Sequence, residues 1–280
     1  MEPVIEIVGL RKTYGATAAV DGVDLEVGRG EVFGLLGPNG AGKTTTVEIC
    51  EGYRRRSAGD VRVLGEDPER PTTAWRSRVG LVLQSSQASE ELTVAECVTH
   101  FGSFYPHPRS TEDVLGLVGL DEKAGSRAGK LSGGQQRRLD VGLGIVGRPE
   151  LLFLDEPTTG FDPEARRHFW DLIRALQAEG TTILLTTHYL DEAEALSDRV
   201  AVLAGGRVRA LGPPSSLGAR DTAPSVVRWL EGGEQREVTT PAPTSFVAEL
   251  GSRHGGEVPE LTVTRPTLED VYLRLIGEAS

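Results

Sequence analysis

The stretch GLLGPNGAGKTTTVEICEG, residues 34–52, opens on apolar residues, turns through glycines and closes in a helix-forming run. Val32 to Leu36 reads as a short buried strand and the residues from Lys43 onward read as a helix, so Gly37 to Gly42 must turn tightly between them. Such a turn needs backbone angles that glycine adopts most cheaply. It leaves several N–H groups facing one concavity at the start of a helix, where the peptide dipoles favour negative charge. The consequence is a phosphate cradle. Gly37, Gly42, Lys43 and Thr44 fit G-x-x-x-x-G-K-[ST], in which the lysine reaches the outer phosphates and the hydroxyl ligates magnesium. A plain glycine turn with an incidental lysine is the alternative, but the flanking strand and helix are the context that the motif demands.

The composition narrows the class of protein around this loop. At 280 residues the chain has room for one large domain with a small addition. Its apolar runs, such as LLFL and ILLTT, fall short of the roughly 18–20 residues of a membrane-spanning helix. The start MEPVIEIVGL lacks the basic, then apolar, character of a signal peptide, which predicts a cytoplasmic location. A formal charge of −11 argues against broad nucleic-acid binding, which needs a cationic surface; RRR at 54–56 is read as a solvated run. Cys50 and Cys97 have neither redox nor metal-ligand spacing and are expected to be buried thiols. Lysine makes up four of thirty basic residues and Asn39 is the sole asparagine, so it is notable that Lys43 and Asn39 both lie in the loop.

Along the chain, the first 36 residues alternate between glycine turns as antiparallel strands do, and GDVRVLG adds another. RVGLVLQ reads as a parallel strand covered on both faces. From about 85 to 147 the pattern is helical: Thr93 caps VAECVTHFGSFY, Ser110 or Thr111 caps EDVLGLVG, and SGGQQRRLDVGLGIVG follows. LLFLD is a strand. A helix then starts at Asp162 and Pro163 and ends before Gly180, with Phe169, Leu172, Ile173 and Leu176 as its apolar stripe. TILLTT, the helix LDEAEALS and the hairpin VAVLAGGRVRALG complete an alternating α/β pattern, which implies a parallel core sheet. After GPPSS at 212–216 a hairpin, a short helix, a strand and a last helix capped by Thr267 and Asp270 read as one appended α+β unit from about residue 220.

Clustered phosphates need a cation before a nucleophile can approach them. Asp155 emerges at the carboxyl end of strand LLFLD, where open α/β sheets bind ligands, and is placed to orient magnesium. Glu156 follows and is placed to polarise a water. KLSGGQQRR at 130–138 sets Ser132 and two glycines at another helix start, a second anion-binding end. One triphosphate in one chain does not need two such ends; a second copy of the chain supplies the reason.

With these residues in view the sequence resembles the ATP-binding cassette (ABC) family. GPNGAGKT matches the family's Walker A loop, LSGGQ its signature and LLFLDE its Walker B strand; Gln84, TTGFD and His188 match the Q-loop, D-loop and switch histidine, all in order over residues 4–212. The resemblance implies an α/β P-loop NTPase core over 1–215, with an antiparallel β subdomain and a helical subdomain at about 85–147. An accessory α+β region at 220–280 is then appended. It implies ATP and Mg2+ as ligands, and two cassettes paired head to tail as a homodimer. Gly37, Pro38, Asn39, Gly40, Ala41, Gly42, Lys43, Thr44 and Thr45 would hold phosphates, and Tyr14 would stack on adenine unless it is a packing residue. Ser132, Gly133, Gly134, Gln135 and Asp162 would act across the dimer. Thr44, Gln84 and Asp155 would serve the metal; Glu156, His188 and Gln84 would serve catalysis. Phe161 stands where the family usually has leucine and is expected to face the subunit contact.

The single cassette and the short segment between Gln84 and Leu131 disfavour the translation-type and coiled-coil repair members. That leaves the energy-coupling ATPase of a transporter, peripheral on the inner face of a bacterial membrane, with a separate transmembrane partner. TTGFDPEARR and RPTLEDVYLRLIG resemble drug-resistance and polyketide-antibiotic exporters, with an importer subunit as the other reading. Residues 85–96 are the expected contact with the membrane partner.

Overall fold

The computed structural model describes residues 2–82, 91–158, 160–220 and 222–277. Within it the strand of the opening motif, β3 (Val32–Leu36), lies inside a six-stranded sheet. β7 (Thr182–Thr187) and β8 (Arg199–Ala204) flank β3 and run parallel to it; β6 (Leu151–Asp155) and β5 (Val79–Val82) continue beyond β7, and β9 (Arg207–Gly212) closes the far edge antiparallel to β8. Every side chain of β3 and β7 is buried, as expected for strands covered on both faces. β5 departs from that expectation: it is an edge strand, and Leu81 is 40% exposed.

Side chains alternate across the sheet, and the two faces meet different layers. Phe33, Leu35, Phe153 and Leu184 pack towards the helix that follows the glycine loop, α1 (Lys43–Cys50), and towards a second, antiparallel sheet. That sheet has the order β2 (Thr17–Val27), β1 (Ile5–Tyr14), β4 (Ala58–Val63). A short helix that the sequence pattern did not reveal, α2 (Thr73–Ser77), adds Trp75 to this layer; the ring is 2% exposed and its Nε1 donates to the Val63 carbonyl at 2.9 Å. Cys50 is buried here as a free thiol that burial pushes up to about 12, and Cys97 is also buried and free.

Leu152, Leu154, Ile183 and Leu185 point the other way, towards α6 (Pro163–Ala178) and three helices of the middle segment. Thr93 begins α3 (Val94–Gly102) with a complete capping box, Ser110 caps α4 (Thr111–Val118), and Ser132 begins α5 (Gly133–Ile145) with a second capping box. α3 stops three residues short of the expected Tyr105. Tyr105 instead lies against Gly147, where any added Cβ would come within 2.4 Å of its ring.

The segment beyond residue 220 divides in two. β10 (Ser225–Glu231) pairs with β11 (Glu234–Thr240) and β12 (Thr262–Thr264), and α8 (Pro243–Arg253) covers them around Val227, Trp229, Leu250 and Val258. The last helix, α9 (Leu268–Gly277), does not join this small core. Leu268 packs with Val200 and Val202 of β8, and with Ala193 of α7 (Leu190–Leu196). Arg220 fastens the turn before it, donating to the Pro266 carbonyl at 2.7 Å and pairing with Glu194 of α7 at 2.7 Å.

Candidate functional site

The glycine loop is set by close packing as well as by backbone angles. A Cβ at Gly42, where φ is +103°, would lie 2.5 Å from the Ala19 carbonyl; one at Gly37 would lie 2.4 Å from that of Leu203. Strands β2 and β8 therefore press on the loop from two sides and hold it in one shape. The Ala41 N–H donates to the Pro38 carbonyl at 3.1 Å, which closes the turn.

A cavity of about 430 Å³ lies in front of this loop and is lined by Ala19, Asn39, Gly40, Gly42, Lys43, Thr44, Thr45, Asp155 and Glu156. The sheet order explains the meeting of these distant residues. β3 ends in the loop and β6 ends in Asp155, with β7 between them, so all three strands deliver their carboxyl ends to one edge. The Lys43 ammonium is buried and donates to the carbonyls of Gly37 at 2.6 Å and Pro38 at 3.2 Å. Burial lowers its pKa, opposed by the charges of Glu156 and Asp155. Asp155 accepts a short hydrogen bond from the Thr186 hydroxyl, which orients one carboxylate oxygen.

Glu156 adopts φ +45°, a left-handed conformation that costs a non-glycine residue energy and that clusters at functional positions. Its N–H is held by the Thr186 carbonyl at 3.1 Å, and its Oε1 lies 3.1 Å from His188 Nδ1. Because β6 and β7 are neighbours, residues just past their ends meet naturally. His188 is 43% exposed and its ring leans on Tyr189.

Arg137 of α5 is a residue that sequence reading missed. It is buried, and its guanidinium donates to the carbonyls of Asp155 at 2.5 Å and Pro157 at 3.1 Å, bracketing Glu156. Burial lowers its pKa, against the pull of Asp140, Asp155, Glu156 and Glu192. The sequence signal was present in the register of SGGQQRR: on a helix starting at Gly133, Arg137 falls on the buried face.

Several expected site residues lie elsewhere. Ser132, Gly133, Gly134 and Gln135 are not among the described residues lining the cavity before the loop. The Ser132 hydroxyl accepts from the Gln135 N–H at 3.3 Å, and Gln135 Oε1 accepts from the Ser132 N–H at 3.0 Å. A Cβ at Gly133 or Gly134 would meet nothing within 4 Å, so neither glycine is required by packing in this chain. Tyr14 is 43% exposed near the tip of β1, with Lys12 Nζ 5.1 Å and Arg54 Cζ 5.4 Å from its ring centre. Asp162 caps α6 by accepting from the Ala165 N–H at 2.8 Å. Phe161 corrects an expectation: it is 7% exposed and packs edge-on against Phe169 at 6.0 Å, so it faces inward rather than towards a subunit contact. Its aromatic neighbour on α6 explains the inward choice. Gln84 lies outside the described residues.

Among the described residues no helix is long and apolar enough to cross a membrane, and no three His, Cys, Asp or Glu side chains cluster as a metal cage. The family model described as ABC transporter matches residues 20–159. The chain is 38% identical to the Nod factor export ATP-binding protein I of Ralstonia nicotianae, over 98% of this chain and 94% of that one. It is 37% identical to a daunorubicin resistance ATP-binding protein of Streptomyces coeruleorubidus, over 99% and 96%. Its fold is similar to a solved ATP-binding subunit of an ABC transporter, with a TM-score of 0.70 and 27% identity over 76% of this chain and 91% of that one. The loop, the acidic strand end and these relatives agree: the chain belongs to the ABC transporter family, as an ATP-hydrolysing subunit built on the ABC cassette fold.

Proposed function

We propose that this chain drives export of drugs, antibiotics or other hydrophobic compounds through a separate membrane-spanning subunit, by closing and opening as a homodimer around ATP. The export reading draws on the relatives, one named for Nod factor export and another for daunorubicin resistance. Membrane association at the cytoplasmic face follows from that partner.

The observation that carries the dimer is the pair Gly133 and Gly134. Glycine is a poorer helix former than alanine, and here nothing in the chain itself needs the missing side chains. Close approach by a ligand held on another copy accounts for them. The Ser132 hydroxyl still has its hydrogen to donate, because in the capping box it serves as acceptor.

The roles divide accordingly. Lys43 and the loop amides hold the phosphates, Lys43 exchanging its carbonyl partners for phosphate oxygens, with Pro38, Asn39, Gly40, Ala41 and Thr45 shaping the cradle. Thr44 and Asp155 offer hard oxygen donors in one cavity, which suits Mg2+, an ion that takes few protein ligands and completes its shell with phosphate and water. Bound there, the ion neutralises phosphate charge. Glu156 receives a proton from the attacking water, and His188 beside it steadies the carboxylate and the terminal phosphate. Gln84 would serve the metal directly or through water, Tyr14 would stack on adenine, and Ser132, Gly134, Gln135 and Asp162 would act from the partner copy. Loss of the terminal phosphate removes the charge that both copies grip, so the closed state is no longer favoured.

The test is size-exclusion chromatography of Glu156→Gln with ATP and magnesium. A nucleotide-bound dimer supports the reading; persistent monomers contradict it.

A further inference from the structure

Behind the catalytic pair sits a carboxyl group that the proposed chemistry does not use. Glu192, on the first turn of α7, is 0% exposed, and both of its carboxyl oxygens are sealed from solvent without a well-formed hydrogen bond. Two hydroxyls lie against it, those of Thr187 and Thr158, and both favour its ionised form. Burial outweighs them and raises its pKa, with Asp191 adding to the rise and Arg166 opposing it; Arg137 also senses its charge.

The two hydroxyls are suited to a shared partner. Thr187 Oγ1 accepts from the Tyr189 N–H at 3.0 Å, which leaves its own hydrogen to donate. Thr158 Oγ1 is buried and has no well-formed partner. Thr158 lies two residues after Glu156, and Thr187 immediately precedes His188. A buried polar group without partners costs stability, so the buried side chains of Glu192 and Thr158 each carry a penalty. A carboxyl group bonded to both hydroxyls would remove most of that penalty and fix two catalytic loops relative to each other.

We propose that Glu192 is a positioning residue of the ATPase site, whose carboxyl, set against the hydroxyls of Thr158 and Thr187, ties the backbone that follows Glu156 to the backbone that precedes His188. The proposal rests on the reading of Glu156 and His188 as the hydrolytic pair. The two carboxyl oxygens can each engage one hydroxyl, and an amide of the same shape keeps one acceptor for a hydroxyl hydrogen and offers an N–H to the other hydroxyl oxygen. Alanine does neither. Because the link acts on the alignment of the pair and not on the phosphate loop, its loss lowers turnover more than nucleotide affinity.

The experiment is steady-state ATP hydrolysis and labelled-ATP binding by the full chain, for wild type, Glu192→Gln, Glu192→Ala, Thr158→Val and the double variant Thr158→Val/Glu192→Ala. Expected results are turnover within about twofold of wild type for Glu192→Gln, and at least a tenfold loss of kcat with KM changed less than threefold for Glu192→Ala. Thr158→Val is expected to lower kcat, and the double variant to be no worse than Glu192→Ala alone, as members of one link behave. Where Glu192→Ala does not fold, Thr158→Val and its combination with Glu192→Gln carry the same comparison. Full activity in Glu192→Ala or Thr158→Val, independent losses that multiply, or Glu192→Gln as impaired as Glu192→Ala overturns the positioning role while the ATPase reading stands. A wild-type chain that neither binds nor hydrolyses ATP overturns both.

Discussion

His188 Nδ1 lies 3.1 Å from Glu156 Oε1, so the first residue past one strand end meets the carboxylate of the first residue past the neighbouring strand. Adjacent strands β6 and β7 enforce the meeting, and the left-handed backbone of Glu156 aims its side chain into it. The pair is assembled by the fold itself.

On the proposed roles, removing the carboxylate charge should slow hydrolysis without removing the cradle. Glu156→Gln is expected to lower kcat by about 10²- to 10⁴-fold, the usual contribution of general base catalysis, with labelled-ATP retention unchanged or increased. Filter binding and phosphate release measured on one preparation separate the two effects.

His188→Ala is expected to lower kcat at least tenfold while KM for ATP moves less than threefold. Its imidazole touches Glu156, whereas the phosphate loop is built from other residues. A change confined to KM would place His188 in ground-state binding instead.

Arg137→Met should unfold more readily than it loses any single contact. It removes the donor that serves the carbonyls of Asp155 and Pro157, and a hydrogen bond to a charged group contributes about 1.5–3 kcal/mol. Urea denaturation should show a lowered midpoint with an unchanged slope.

Glu51, at the end of α1, is pushed up to about 7 by burial first, then by the charges of Asp155 and Glu48. The folded chain therefore binds this proton more tightly than the unfolded chain does. Stability from it is present at low pH and falls as pH rises from about 5 to 8, by up to about 3 kcal/mol. Glu51→Gln should flatten that slope and exceed wild type at pH 8, which melting temperatures at the two pH values measure.

The contact expected for the membrane partner, residues 85–96, is described only from Glu91 onward. Glu91 is exposed, whereas Leu92 packs against the helical core and its carbonyl accepts from the Ala128 N–H at 2.8 Å. Leu92 therefore tests stability, and Glu91→Arg tests coupling: transport by the reconstituted complex should fall while basal ATP hydrolysis stays. Equal loss of both would argue against this surface.

The parts of the site that were legible in sequence are those encoded by neighbours along the chain. The glycine loop before α1, the apolar strand ending in Asp155, and Asp162 with Pro163 at the start of α6 each carry their own local signal. What stayed hidden depends on surfaces that no local pattern names. Arg137 reaches two carbonyls of another loop, Trp75 sits on a five-residue helix too short for periodicity, and Phe161 finds Phe169 instead of a subunit contact. The stripe of α9 announced a helix but not its partner, and Leu268 packs on β8 and α7 rather than on the adjacent small sheet.

The claim beneath all of this is that one copy's glycine loop and another copy's Ser132 segment share a single ATP, and complementation by mixing tests it most directly. In a Glu156→Gln background, Lys43→Ala and Ser132→Arg chains should each fail to form dimers with ATP and magnesium. Mixed together, they should form a dimer holding one ATP, because one of its two sites is intact. If each variant pairs by itself, or if the mixture stays monomeric and empty while the parent Glu156→Gln chain dimerises, the shared site does not exist.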